Sequence, residues 1–186
     1  MTSLDFIIFY EKDVQIDLKT KILALEKFCF SHVNLIDINE CFYSEIFARV
    51  CTFFEKELVG HLILHKREIM FDEKRIIIGG AVGACVKDNM RRKGIAEKMM
   101  QIGLEKLKKE SCDIACLTVD PEDGQDAIKL YKKLGYAIMN REISYEDIYG
   151  KLRYDSDTMF ISLCSDSLFK HIMENSHTFH YGKGYW

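Results

Sequence analysis

Residues 76–99 read IIIGGAVGACVKDNMRRKGIAEKM, a β-branched run broken by glycines, then a basic turn that opens a helix. Those residue types at that spacing suit a phosphate ligand. The first amides of a helix have no intrahelical partner and carry the positive end of its dipole, so they can hold a phosphate group. Arg91, Arg92 and Lys93 add charge at the same point, and Gly94 lets the backbone come close to a ligand. Upstream, Gly79, Gly80 and Gly83 would weaken an ordinary strand and mark a bulge or a close backbone approach. A solvated basic turn with glycines chosen for packing is the other reading. Neither the P-loop spacing GxxxxGK[ST] nor the dinucleotide fingerprint GxGxxG occurs here.

Other reactive side chains are more scattered. Tyr131 lies in AIKLYKKLGY, on a stripe shared with Ala127, Leu130 and Leu134 that stops at Gly135. His61 and His65 are four apart, but in a strand-like segment and without the glutamate of HExxH, so zinc is not expected. Glu55 and Glu57 fall in a turn and read first as solvated charges. Cys85 has no histidine fixed beside it by local sequence and reads as a small strand residue rather than an acyl carrier. The ending HTFHYGKGYW carries four aromatics and two glycines in ten residues and is expected to dock on the domain.

The elements that must position these groups follow from periodicity. LDFIIFY at 4–10 predicts a strand, and Leu18, Ile22, Leu25 and Cys29 form a helical stripe. Stretches 46–55, 58–71 and 75–87 predict three antiparallel strands with charged turns at 55–57 and 72–74. A helix over 94–109, a strand at 112–120, the helix around Tyr131 and closing strands at 136–145 and 158–164 complete the pattern. The segment between the last two reads as a polar connection. The whole predicts a mixed α/β domain with an antiparallel start and a β-α-β core.

RRKGIA at 91–96 resembles the R/Q-x-x-G-x-G/A signature of the GCN5-related N-acetyltransferases (GNAT), and AIKLYKKLGY resembles that family's A-x-x-L-Y-x-x-x-G-F/Y helix. The resemblance implies a single-domain α/β (α+β) GNAT fold over residues 1–186. In that fold a mixed, mostly antiparallel sheet of about six or seven strands is flanked by helices, with a bulged strand before the pyrophosphate loop. It implies an acyltransferase that moves acetyl from acetyl-CoA directly to a primary amine. Carried over by position, Ala84, Cys85 and Val86 would face the thioester and pantetheine. Arg91, Arg92, Lys93, Gly94, Ile95 and Ala96 would form the pyrophosphate loop, and Tyr131 would protonate the departing CoA thiolate. The sequence departs from the family at Lys87-Asp88-Asn89-Met90, where a His-Pro-acid-Tyr run is common, and at Gly124, where an asparagine is common. Residues 76–86 contain no acid or histidine, so the general base must come from elsewhere.

A narrower resemblance links GKGYW at the end to the aminoglycoside 2′-N-acetyltransferases, in which a terminal tryptophan carboxylate lies in the acceptor pocket. It implies a small-molecule amine acceptor, an amino sugar or aminoglycoside, held by Asp155, Asp157 and Trp186. The strand glutamate of that subgroup falls at Val82, and the acid before its final tryptophan is Tyr185. A protein N-terminus, lysine or polyamine as acceptor, and a noncatalytic acyl-CoA-binding module, are the alternatives. Many relatives pair, so a homodimer is compatible.

Composition narrows the partners. In 186 residues, 26 Lys and Arg stand against 29 Asp and Glu, which argues against a nucleic-acid or polybasic membrane binder. Yet residues 87–109 hold eight basic and three acidic residues, a local excess shaped for one polyanion. Seven cysteines without a CxxC pair, no signal peptide and no apolar run of about 20 residues predict a cytoplasmic, metal-free, soluble protein.

Overall fold

The computed structural model describes residues 3–31, 44–119, 125–156 and 158–186. Strand β1 (Leu4–Tyr10) passes through one 3-10 turn into helix α1 (Ile16–Cys29). Strands β2 (Ile46–Phe54), β3 (Glu57–Phe71) and β4 (Lys74–Val86) form the meander expected from sequence. Its two tight turns place Glu55, Lys56, Asp72 and Glu73 at positive φ, the backbone that matches the twist of a two-residue hairpin. Helix α2 (Ile95–Lys109), strand β5 (Ile114–Thr118) and helix α3 (Gln125–Lys133) follow. Six elements complete the described chain: β6 (Ala137–Ile138), β7 (Ile143–Glu146), β8 (Leu152–Asp155), β9 (Thr158–Ser162), α4 (Asp166–Glu174) and β10 (Phe179–Lys183).

Seven strands form the main sheet in the order β1-β2-β3-β4-β5-β9-β6, and β10-β7-β8 form a small second sheet. In the main sheet only β4 and β5 run parallel, because α2 crosses between them.

The two-residue period of β3 separates the faces of the sheet. Gly60, Leu62 and Leu64 turn towards α2, where Gly103 lies against both leucines and Ile95 and Met99 approach Gly60. Leu62, Leu64, Met99 and Leu107 are fully buried there, and burying each stabilises the fold by roughly 1.5–3 kcal/mol. His61, His65 and Arg67 turn the other way, towards α1 and the C-terminal segment.

Sequence and structure part company late in the chain. The stretch 136–145, expected to be one strand, is split: β6 joins the main sheet and β7 joins the small one. The polar connection after it contains β8, paired with β7 through a turn in which Asp147 accepts from the amides of Tyr149 and Lys151. Helix α4, begun by Ser165 accepting from the Leu168 amide, buries Ile172 and is an addition to the elements expected from sequence. The aromatic tail docks as expected, with Phe179, Tyr181 and Trp186 all buried. No described helix is long and apolar enough to cross a membrane.

Candidate active site at the divergence of β4 and β5

Strands β4 and β5 pair at three positions only, Ile78 with Ile114, Gly79 with Ala115 and Gly80 with Cys116. Beyond Gly80 each strand continues without the other, so β4 presents ladder groups there to no strand on that side. The same stretch of β4 is bulged. On its other edge His61 pairs with Cys85 and Ile63 with Val82, so one residue of β3, Leu62, faces two of β4, Gly83 and Ala84, and Gly83 adopts φ +62°. One extra residue reverses the side-chain alternation. Ala81 faces α2, and after the bulge it is Ala84 and Val86 that join the same cluster, whereas Cys85 points towards α1.

Of the three glycines singled out from sequence, only Gly83 forms the bulge. Gly79 and Gly80 are close approaches: added Cβ atoms would come within 2.8 Å of Leu107 and 2.7 Å of Trp186 respectively. The irregularity therefore lies at Gly83 and Ala84.

At the end of β4 a short 3-10 turn delivers Arg91, Arg92 and Lys93 to the start of α2. Gly94 caps that helix in a left-handed conformation, with φ +76°, and no side chain caps the first-turn amides. A Cβ at Gly94 would meet nothing within 4 Å. Open backbone amides, a helix dipole and three cations fit a phosphate-bearing cofactor. The cations are held in place by neighbours: Arg91 donates to the Val86 carbonyl at 3.1 Å and pairs with Asp88 at 2.9 Å, Arg92 reaches Asp126 of α3 at 2.5 Å, and Lys93 donates to the Asn89 carbonyl. Ile95 is buried and Ala96 half-buried, which anchors the loop to the core.

Tyr131 lies on α3, the helix reached from the free end of β5. Its ring is half-buried against the α2-side core and tilts 59° to Tyr136 at 5.9 Å. Burial pushes its hydroxyl above the ordinary tyrosine range.

The opposite face of the sheet carries a polar assembly that no local motif announces. Arg49 pairs with Glu11 at 2.5 Å and donates to His61 Nε2 at 3.1 Å, while His61 Nδ1 lies 3.1 Å from Glu26 of α1. With Nδ1 protonated, a neutral His61 accepts from Arg49 on Nε2 and turns its other N–H side towards Glu26, although neither His61 Nδ1 nor Glu26 Oε1 completes an aligned hydrogen bond. Burial depresses its pKa. His65 Nδ1 donates to the Glu45 carbonyl at 2.7 Å, its ring stacks on Trp186 at 5.2 Å, and burial lowers its pKa to about 4. Arg67 clamps the tail, donating to the carbonyls of Tyr181 and Gly184 and lying 4.0 Å over the Trp186 ring.

Trp186 itself lies against Gly80, where β4 and β5 part, and its indole N–H donates to Cys116 at 3.3 Å. Beside it Tyr185 donates to Asp155, and the rings of Tyr145 and Tyr185 stand 4.8 Å apart. The structure thus brings Asp155 and Trp186 into one aromatic cluster, on the face opposite Tyr131. Asp157 and Gly124 lie outside the described residues. His61, His65 and Arg67 share one parity along β3, so a strand period applied to them would have revealed this face. Among the described residues no group of three or more His, Cys, Asp or Glu could hold a metal ion. Glu57 pairs with Lys87 at the surface.

The family model described as "Acetyltransferase (GNAT) family" matches residues 20–136. The chain belongs to this family. N-alpha-acetyltransferase 30 of Saccharomyces cerevisiae is 30% identical over 77 residues, which are 41% of this chain and 43% of that protein, so the match spans less than half the length of the relative. An aminoglycoside acetyltransferase, HMB0005, from an uncultured soil metagenomic sample superposes with a TM-score of 0.57 at 21% identity over 72% of this chain and 91% of its own. The NatC complex bound to Gag peptide and CoA gives a TM-score of 0.56 at 14% identity, covering 86% of this chain and 99% of the matched one. At such identities the two structures are alike in fold.

Proposed function

We propose that residues 1–186 form one cytoplasmic N-acetyltransferase domain that moves an acetyl group from acetyl-CoA directly to a primary amine of a small molecule, an amino sugar or aminoglycoside-like compound. The observation that carries this reading is the bulged end of β4, parted from β5 and running into an uncapped, basic helix start. Arg91, Arg92 and Lys93 with the amides of Gly94, Ile95 and Ala96 would hold the pyrophosphate. The parted backbone at Ala84, Cys85 and Val86 would pair with the pantetheine arm. The bound cofactor supplies an activated thioester.

Around it the chain's own groups have separate tasks. Amides at the bulge polarise the carbonyl as charge builds on its oxygen. Tyr131, kept protonated by burial, donates its proton to the leaving sulfur. On the opposite face Asp155 offers negative charge to a cationic acceptor, and Tyr185 and Trp186 offer aromatic walls.

A protein N-terminus is the second reading, favoured by the 30% identity to N-alpha-acetyltransferase 30. One experiment separates the readings: thiol release from acetyl-CoA across a panel of aminoglycosides, amino sugars, polyamines and peptides with free N-termini. The highest kcat/KM is expected with the amino sugars and aminoglycosides. Preference for peptides would establish the second reading. CoA binding without amine-dependent thiol release would leave a noncatalytic acyl-CoA-binding module.

A further inference from the structure

Acetyl transfer to an amine needs a group that takes a proton from the acceptor, and residues 76–86 of β4 contain no acid or histidine. The neighbouring strand shows where such a group can stand. On the face of β3 that carries both histidines, α1 lies over His61 and Trp186 lies over His65. Between them Ile63 is half-buried, about 7 Å along the strand from His61. A Cβ at Gly83 would stand 3.3 Å from Ile63, so this gap in the cover lies directly beside the bulge.

Helix α1 is pinned over the same end of β4. Leu25 packs in one cluster with Cys85, and Cys29 Sγ lies 3.7 Å from the Val86 carbonyl. Glu26, between them in sequence, has a side chain only 14% exposed. Its Oε1 lies 3.1 Å from His61 Nδ1 and 3.5 Å from Arg49 Nη1, yet it completes no aligned hydrogen bond with either. Five other described carboxylates of this region are engaged: Glu11 by Arg49 at 2.5 Å and Lys19 at 3.3 Å, Glu57 by Lys87, Asp88 by Arg91, and Asp155 by the Tyr185 hydroxyl.

We propose that Glu26 takes the proton that the acceptor's ammonium must lose, through one water over Ile63, and that His61 and Arg49 are the residues that position it. This rests on the acetyltransferase reading of the site.

The protons balance. An ammonium acceptor brings three protons on nitrogen. One passes through the water to Glu26, and the freed lone pair forms the C–N bond at the thioester carbonyl. The C–S bond then breaks, and Tyr131 gives its proton to the sulfur. The second proton on nitrogen leaves through solvent and replaces the one Tyr131 gave up; the third stays on the amide. Glu26 returns its proton to water along its exposed edge, so one proton is released per acetyl group transferred. His61, kept neutral by burial, does not compete for that proton, and the charges of Arg49 and Glu11 fix the geometry around it.

The test follows thiol release from acetyl-CoA between pH 6 and pH 9, with the primary amine of highest kcat/KM among the aminoglycosides, amino sugars, polyamines and peptides. With Glu26 in place the abundant ammonium form is the substrate, and kcat/KM should stay flat up to the amine's own pKa. Glu26→Gln can use only amine that is already neutral in solution. Its kcat/KM should lie about a hundredfold low at pH 7 and climb about tenfold per pH unit, closing on the parent near pH 9, with the CoA Kd from calorimetry unchanged. Glu11→Gln, which removes a charge from the same assembly, should keep the flat profile, and Glu26→Asp should keep it at a lower rate. A flat profile in Glu26→Gln, at whatever rate, would overturn the assignment, and so would a rising profile in Glu11→Gln, which would mark the whole assembly as structural. Should Glu26→Gln fail to fold, Glu26→Asp decides: a rising profile there overturns the role of the carboxylate. CoA binding without thiol release for any amine would overturn acetyl transfer itself and this assignment with it, whereas turnover with a flat Glu26→Gln profile leaves acetyl transfer standing.

Discussion

Tyr131 combines two properties that a proton donor needs. Burial raises its pKa, so it holds its proton at neutral pH, and its place on α3 fixes the ring against Tyr136. Tyr131→Phe removes the hydroxyl and keeps the ring packing. Turnover should fall about a hundredfold, while CoA affinity measured by calorimetry and the thermal midpoint stay near those of the parent. Retained turnover would take Tyr131 out of the mechanism. At this scale the sequence was legible where spacing along one helix or one loop carries the information, as in AIKLYKKLGY and RRKGIA. It was opaque where partners come from far apart. Glu26 and His61, or Arg67 and the carbonyl of Tyr181, meet only after strands pair and the tail folds back.

Strand β4 shows what an element adds to its residues. Three glycines in it are indistinguishable by sequence, because each could serve a bulge or a close approach. Register with β3 assigns the bulge to Gly83, and packing assigns Gly80 to the Trp186 ring. The meander was legible because β-branched runs end in charged turns, whereas β8 and β10 are short and carry no clear alternation, and in α4 only Leu168, Phe169, Ile172 and Met173 mark the helical face. The role of Gly80 can be tested directly. In Gly80→Ala the new Cβ would stand 2.7 Å from the indole Nε1, and a rigid ring held by Arg67 and Cys116 cannot yield as a flexible chain end would. A loss of about 1–3 kcal/mol is expected in urea unfolding. Trp186 is the single tryptophan, so its emission should shift to the red in the folded variant. Unchanged emission and stability would mean that the tail does not lie on β4.

For the whole molecule, the polar face beneath α1 and the tail makes stability depend on pH. His65 is held neutral by burial, and Arg67 and Arg49 oppose its charging more than Glu11 favours it. His61 is shifted the same way by burial, although Glu26 and Glu11 pull against it and Arg49 reinforces it. An unfolded histidine takes up its proton near pH 6.5, whereas folded His65 does so only at about 4. Between those values the unfolded chain binds more protons, so stability is complete above about pH 6.5 and is lost as the pH falls towards 4. Urea unfolding should show a loss of about 2 kcal/mol between pH 7.5 and pH 5 from His65 alone, with His61 adding to it. Glu11 and Glu110, whose pKa values are lowered by their cationic partners against the effect of burial, lose their contribution to stability as the pH falls through the ordinary carboxylate range towards their lower folded values. The two effects therefore separate along the pH axis. His65→Gln should flatten the profile between pH 6.5 and pH 5 and leave the acid limb below pH 4.5 intact. A variant with the parent's profile would show that the imidazole on Trp186 is solvated, and with it that the tail does not seal this face of the sheet.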